Sequence, residues 1–162
     1  MNNIIGSFTG LSGRVNRQRW WIGIIILAIV GIVISWILGM IFGTGLMVNP
    51  SIATDPAAMS AYLQKAGWTG VITGIILAYP YLAITVKRRH DRNNNGYDAM
   101  GLIAIGIIWN LLTALGVVSV VGGIGQVVSL IIGVYGIYML VVAGFLKGTA
   151  GPNNYGPDPL QG

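Results

Sequence analysis

Residues 20–42 read WWIGIIILAIVGIVISWILGMIF, an apolar stretch without a single charged side chain. At a rise of about 1.5 Å per residue, a helix of this length crosses the hydrocarbon core of a bilayer, which is roughly 30 Å thick. Basic residues precede the stretch, but it is too long for the apolar region of a secretory signal and lacks a small-residue cleavage site. It therefore predicts a retained membrane-spanning helix.

Three further apolar stretches follow, each long enough to span. They cover about residues 68–86, 100–118 and 125–146. The pattern predicts an all-α, polytopic membrane protein: a four-span helical bundle with short loops. We expect one membrane domain over residues 1–162, in which residues 147–162 form a tail.

The composition agrees with a membrane protein and excludes several kinds of site. Of 162 residues, 54 % are hydrophobic and 8 % charged, against roughly a quarter charged in soluble domains. The absence of cysteine excludes disulfides, thiolate metal sites and cysteine nucleophiles. Glutamate is absent as well, so four aspartates are the only acids. We expect neither a metal nor a cofactor.

The loops contain recognisable start and turn signals. Asp55-Pro56 predicts the start of a short helix through Gln64, with Asp as N-cap and Pro at the first helical position. Spans three and four are joined by residues 115–126 without any charge, where glycines supply the predicted turn. These glycines are Gly122, Gly123 and Gly125.

The nine cations are distributed asymmetrically along the chain. With four spans, eight of them share one side: Arg14, Arg17, Arg19, Lys87, Arg88, Arg89, Arg92 and Lys147. Only Lys65 lies on the other. The positive-inside rule makes the richer side cytoplasmic, so both termini are predicted to be cytoplasmic.

Three polar segments meet on that side: GRVNRQRWW at 13–21, KRRHDRNNNGY at 87–97 and KGTAGPNNYGPDP at 147–159. If the first spanning helix already begins within the first of these segments, Arg14, Arg17 and Trp21 have i, i+3, i+7 spacing and share a helix face. The asparagines and glycine of the second suit a tight turn. The third, rich in proline and glycine, predicts a non-helical loop.

These three segments, in this order, resemble the DUF805 family of small bacterial inner-membrane proteins. The opening pattern matches Gly13, Arg14, Arg17, Trp20 and Trp21. The turn pattern matches Arg88, His90, Asp91 and Gly96, with Tyr97 in place of its final Trp. The closing pattern matches Gly148, Thr149, Gly151, Asn153, Tyr155, Gly156, Asp158 and Pro159. The chain departs from the family at Asn93, Asn95 and Tyr97. The resemblance implies an inner-membrane location and the topology, but no activity.

The polar segments predict one cytoplasmic-face site: Arg14, Arg17, Arg88, His90, Asp91, Asn153, Tyr155 and Asp158. One interpretation is a structural latch, in which Asp91 pairs with Arg14 or Arg17. The other is a binding site, because excess cations beside a bilayer attract anionic lipid headgroups. An acidic cytoplasmic or membrane protein is an alternative partner. Nucleic acid is disfavoured, since the basic side faces the membrane interface.

Two other classes of function remain open. His90 beside Asp91 suggests acid–base catalysis on a lipid headgroup, yet adjacent helical residues point about 100° apart and no nucleophile motif accompanies them. His90 is also a candidate pH sensor. A small-solute transporter or channel would require a homo-oligomer, built around the intramembrane Asn110 or a kink at Pro80. For Asn110, the simpler expectation is an interhelical hydrogen bond to Ser35, Thr73, Ser129 or a second copy.

Overall fold

A computed structural model of the protein describes residues 4–45, 52, 54–119 and 123–161. The elements are a short 3₁₀ helix (Ile4–Phe8), α1 (Arg17–Phe42), α2 (Pro56–Asp91), α3 (Tyr97–Ala114) and α4 (Gly123–Leu140), which continues as a π-helical turn (Val141–Phe145). All four α-helices are long and apolar enough to cross a membrane. The predicted all-α, four-span fold is confirmed, and the described ranges contain no strand.

Helix α1 begins at Arg17 because the Asn16 side chain caps it, accepting a hydrogen bond from the Arg19 backbone N–H at 2.9 Å. It ends at Gly43, whose φ of 71° is a left-handed conformation suited to glycine. Most of its side chains lie on the protein surface, as expected for a helix surrounded by lipid. Its buried residues, Trp20 and Leu27 among them, pack against α2.

Helix α2 is the centre of the bundle and contacts α1, α3 and the 3₁₀ helix. The predicted short helix after Asp55 and the second span are in fact one helix of 36 residues, Pro56–Asp91. The Asp55 carboxylate caps it as expected, and Pro80 lies inside it. Gly67 faces the α3 backbone at Ala114, where a β-carbon would collide. The close packing of α2 on α3 that Gly67 permits thus offsets the low helix propensity of this glycine.

Helix α4 packs along α3 and reaches α1 through its π-helical turn. The Tyr135 hydroxyl of α4 donates to the Asp98 carbonyl at the start of α3, at 2.7 Å. Gly123 begins α4 with a φ of 58°. Gly122, the first glycine of the predicted turn, is outside the described residues.

Candidate functional site

The three polar segments meet at one end of the bundle, where α1 and α3 begin and α2 and α4 end. Eight of the nine lysines and arginines lie at this end, against three of the four aspartates. At the opposite end, Lys65 and Asp55 balance in charge. We call the arginine-rich end the polar joint; it comprises residues 13–21, 87–98 and 141–161.

A buried ionic network is the centre of the polar joint. Asp91, the last residue of α2, receives Arg14 Nη2 on Oδ1 at 3.0 Å and Arg88 Nη1 on Oδ2. The side chains of Arg14, Arg88 and Asp91 are 2 %, 0 % and 5 % exposed. One carboxylate therefore neutralises part of the charge of two arginines, one from outside the helices and one from α2.

Arg14 uses all five of its guanidinium N–H groups within the protein. Nε and Nη2 donate to Asp91 Oδ1 at 3.1 and 3.0 Å. The other donors reach three carbonyls of the tail: Thr149 at 2.6 Å, Gly151 at 2.7 Å and Gly156 at 3.2 Å. This arginine links the start of the chain to its tail and has no donor left for a ligand.

Side chains from α1 and α2 cap the C-terminus of α4. The last carbonyls of a helix have no partner within it and carry the negative end of its dipole. Here five consecutive carbonyls accept side-chain hydrogen bonds: Val142 from Arg92, Ala143 from Arg88, Gly144 from Trp21, Phe145 from Arg17 and Leu146 from Arg88. Three guanidiniums thus hold the end of α4 between α1 and α2.

The tail caps the C-terminus of α2 in the same way. Thr149 donates to the Asp91 carbonyl through its N–H at 2.8 Å and its hydroxyl at 3.0 Å. Asn153 Nδ2 donates to the His90 carbonyl at 2.9 Å. The Tyr155 ring stacks on the His90 imidazole, with centroids 3.9 Å apart and planes 6° apart. The tail is therefore an ordered part of the joint.

Gly148 allows the tail to lie directly on the buried network. A β-carbon at this position would overlap the carboxylate of Asp91. Any side chain here would have to displace either the tail or the Arg14–Asp91 pair. The requirement for glycine is therefore steric.

Asp158 closes the tail loop. Its carboxylate accepts the backbone N–H groups of Leu160 at 3.0 Å and Gly151 at 2.9 Å. These two hydrogen bonds, with a smaller contribution from the nearby Arg14 charge, hold the pKa of Asp158 below its usual range. The carboxylate remains ionised throughout the physiological range and fixes the loop that carries the Arg14 acceptors.

The His90 ring makes two contacts, one at Nδ1 and one on a ring face. Nδ1 lies 3.1 Å from the Gly13 carbonyl, and one ring face is covered by Tyr155. The Asp91 carboxylate is directed to the two arginines, so His90 and Asp91 form no acid–base dyad. Within the described residues, no group of three His, Cys, Asp or Glu side chains could hold a metal ion.

The prediction that Arg14, Arg17 and Trp21 share a helix face is wrong. Because Asn16 caps α1, the helix starts at Arg17, and Arg14 lies ahead of it. Arg14 therefore reaches Asp91, whereas Arg17 Nη1 donates to the Phe145 carbonyl at 2.9 Å. Of the two latch partners considered for Asp91, Arg14 is the one in contact, and Arg88 is an additional partner.

A cavity of about 340 Å³ opens beside the joint, between α1 and the tail. Its wall includes Arg88, Asp91 and Asp158, all engaged in the contacts above. Its two remaining cations are Arg17 and Lys147, both exposed, which we call the rim pair. Lys147 makes no hydrogen bond or ion pair with the residues that the structure describes.

Asn110 lies far from the polar joint. Its Nδ2 donates to the Gly106 carbonyl of its own helix at 2.8 Å, and its amide packs against Gly70 of α2. The expected interhelical hydrogen bond is not found among the described residues: Ser35 and Thr73 pair with each other at 3.3 Å, and the buried Ser129 hydroxyl has no partner there. Asn110 is the main polar group of a largely apolar cavity of about 320 Å³ between α2, α3 and α4.

Sequence reasoning did not assign roles to several residues of the joint. Arg92 and Trp21 cap α4, Gly148 supports the tail, and Lys147 belongs to the rim pair. For Gly148, membership of the closing G-T-x-G pattern was the available signal. The hydrogen-bond partners of Arg92 and Trp21 depend on the π-helical turn, which no pattern in the sequence predicts.

Comparison with known proteins places this chain in a family. The profile of DUF805, described as a protein of unknown function, matches residues 8–157. The inner membrane protein YhaH of Escherichia coli K12 is 23 % identical over 159 residues, covering 96 % of this chain and 92 % of the relative. The uncharacterized protein YiiR of the same strain is 30 % identical over 152 residues, covering 90 % and 83 %. No solved structure matches. With its four spanning helices, this chain is a multi-pass inner-membrane protein, and it belongs to the DUF805 family.

Proposed function

We propose that the polar joint lies on the cytoplasmic side of the inner membrane and that its rim pair, Arg17 and Lys147, binds anionic lipid headgroups. Both termini would then be cytoplasmic. The buried network of Arg14, Asp91 and Arg88 acts as the frame that fixes the rim pair.

Uncompensated charge at the rim is the observation that carries this proposal. Arg17 bonds only to the neutral carbonyl of Phe145, and Lys147 has no polar partner among the described residues. The cavity wall contains Arg17, Arg88 and Lys147 against Asp91 and Asp158, and Asp91 also pairs with Arg14, so four cations face two carboxylates. The rim therefore keeps a positive charge that an anion can neutralise.

Apolar side chains beside the rim favour a lipid as the source of that anion. Phe145, Leu146 and Leu160 are 59 %, 42 % and 77 % exposed. Cations flanked by exposed apolar groups suit the membrane interface, where each cation near an anionic surface contributes about 1 kcal/mol. An acidic protein segment would use the same cations but would leave this apolar surface uncovered.

The proposed orientation rests on the charge difference between the two ends. The polar joint carries eight cations and three carboxylates, whereas Lys65 and Asp55 cancel at the other end. This asymmetry is the signal of the positive-inside rule. The binding proposal itself requires only that the rim pair lie at a lipid headgroup region.

Transport and catalysis have less support. The intramembrane cavity near Asn110 is lined mainly by apolar side chains, including Leu77, Leu102 and Ile107, which do not favour a polar solute. The His90 ring is occupied by Gly13 and Tyr155 and lacks a partner acid. We therefore propose neither function for this chain.

Native mass spectrometry of the detergent-purified protein tests the proposal. We expect wild-type protein to retain added phosphatidylglycerol, and the double variant Arg17→Gln/Lys147→Gln to bind the lipid at the rim about 30-fold more weakly, from two cations at about 1 kcal/mol each. Lys65→Gln, which removes a cation at the opposite end, is the matched control. Equal retention in all three proteins would overturn the proposal; retention of a co-purified acidic protein in place of lipid would assign the rim to that partner.

A further inference from the structure

A second cationic surface lies on the other side of α1. Arg17 and Arg19 are two positions apart, so their side chains leave the helix about 200° apart. Arg19 is half-buried, and its guanidinium makes no hydrogen bond or ion pair with the described residues. The Asn16 cap involves only the backbone N–H of Arg19 and not its guanidinium.

Arg19 borders two adjacent cavities. One, of about 270 Å³, is polar; besides Arg19 it is lined by Ser7, Ser12 and Lys87, together with Gly6, Gly13, Arg14 and Val15. The other, of about 340 Å³, lies between Ile4 of the 3₁₀ helix and the start of α1. Neither wall contains a carboxylate.

The polar cavity has an uncompensated positive charge. Lys87 is 6 % exposed, and its ammonium donates to the carbonyls of Gly6, Ser7 and Thr9. These partners satisfy its hydrogen bonds but do not cancel its charge. Because Arg19 is also unpaired within the described chain, two cations face this space without an anion. A monoanion such as a phosphodiester would complement them.

The second cavity forms an apolar groove that continues from Arg19 along the membrane-facing side of α1. Ile22 and Ile26 follow Arg19 at i+3 and i+7, so all three lie on one face. The isoleucines are 46 % and 37 % exposed. Ile26 lies about 10 Å from Arg19 along the helix, within the roughly 15 Å thickness of one hydrocarbon leaflet.

We propose that this surface is a specific phospholipid site. Arg19 binds the phosphodiester, with Ser12 beside it and Lys87 supplying positive potential, and the first acyl carbons lie over Ile22 and Ile26. The site is independent of the rim pair and of the orientation in the membrane. A free phosphate would satisfy Arg19 but would leave the groove empty, so the two sources of the anion can be distinguished.

The test uses the Arg17→Gln/Lys147→Gln protein, delipidated in neutral detergent, as background. We titrate it with dioleoylphosphatidylglycerol, inorganic phosphate or dioleoylglycerol and count bound molecules by native mass spectrometry. We expect one retained phosphatidylglycerol, bound about fivefold more weakly when Arg19→Gln is added, and more weakly again in Ile22→Ala/Ile26→Ala. Dioleoylglycerol should not bind, and phosphate should not compete at millimolar concentration.

The outcomes separate this site from the rim pair. If the background retains no lipid, or retains it regardless of Arg19→Gln, the inference is overturned while the rim proposal stands. If phosphate competes fully and the isoleucine variant binds lipid normally, the site takes a free anion and the lipid assignment is wrong. Thermal unfolding of each variant serves as the folding control, because the Arg19 side chain makes no hydrogen bond or ion pair with the described residues that Gln would lose.

Discussion

Replacing Asp91 by asparagine should destabilise the protein more than the same substitution anywhere else in the chain. Asp91 accepts from Arg14 at 3.0 and 3.1 Å and from Arg88, and the three side chains are at most 5 % exposed. Removing one member of a buried ion pair costs about 3–5 kcal/mol, because the remaining charge stays buried. Arg14 keeps three carbonyl acceptors and Arg88 keeps two, so we expect the lower end of this range, about 3 kcal/mol.

Thermal unfolding in detergent measures this effect. A loss of about 3 kcal/mol corresponds to a Tm lower by roughly 10 °C in a protein of this size. Asp55→Asn is the matched control, because asparagine caps a helix about as well as aspartate and the Asp55 side chain is exposed. A double-mutant cycle with Arg14→Gln should give a coupling energy above about 1 kcal/mol. Equal Tm values for Asp91→Asn and Asp55→Asn would refute the assignment of Asp91 as the centre of the joint.

Three further predictions concern the tail and the topology. Gly148→Ala should loosen the tail, because the new β-carbon meets the buried carboxylate, and trypsin should release the tail faster than from Gly6→Ala, where the space is open. The pKa of Asp158 is lower in the folded protein than in the unfolded chain. The ionised carboxylate therefore contributes its full stabilisation above about pH 4, and this contribution is lost at lower pH. When the pH is lowered from about 5 to about 3, the Tm of wild type should fall further than that of Asp158→Asn. Since the chain has no cysteine, Gly45→Cys and Asn154→Cys report sidedness: an impermeant maleimide added to spheroplasts should label only the former, and the reverse pattern would reject the proposed orientation.

The four-span architecture could be predicted because a spanning helix must be long, apolar and almost free of charge, and four stretches of the sequence meet these conditions. An apolar stretch such as residues 20–42 has few alternatives to a spanning helix. The meeting of the three polar segments followed from the same count of spans. The length of α2 was less accessible, because Gly67 and Gly70 weaken a helix in isolation and are accommodated only by close packing on α3.

The pairing within the joint could be predicted only in part. Asp91 was an obvious partner for an arginine, since the acids are so few. Which arginine it contacts depends on where α1 begins: an early start would place Arg14 on the helix beside Arg17, whereas the observed start at Arg17 leaves Arg14 ahead of the helix. The caps on α4 were not predictable, because its final carbonyls become available through a π-helical turn, in which Phe145 contacts the Trp21 ring edge-on. Tertiary contacts therefore decide which arginines are structural and which remain free.

The proposed function assigns stability to the buried network and lipid binding to the rim pair. Measuring Tm and phosphatidylglycerol retention in parallel on two variants tests this division most directly. Arg14→Gln should lower the Tm by several degrees and leave lipid retention by the folded protein unchanged. Arg17→Gln/Lys147→Gln should keep a Tm close to wild type and bind one phosphatidylglycerol fewer, since the separate site at Arg19 is retained. A rim variant that binds as many lipids as wild type, or an Arg14 variant that loses lipid at an unchanged Tm, would contradict this division.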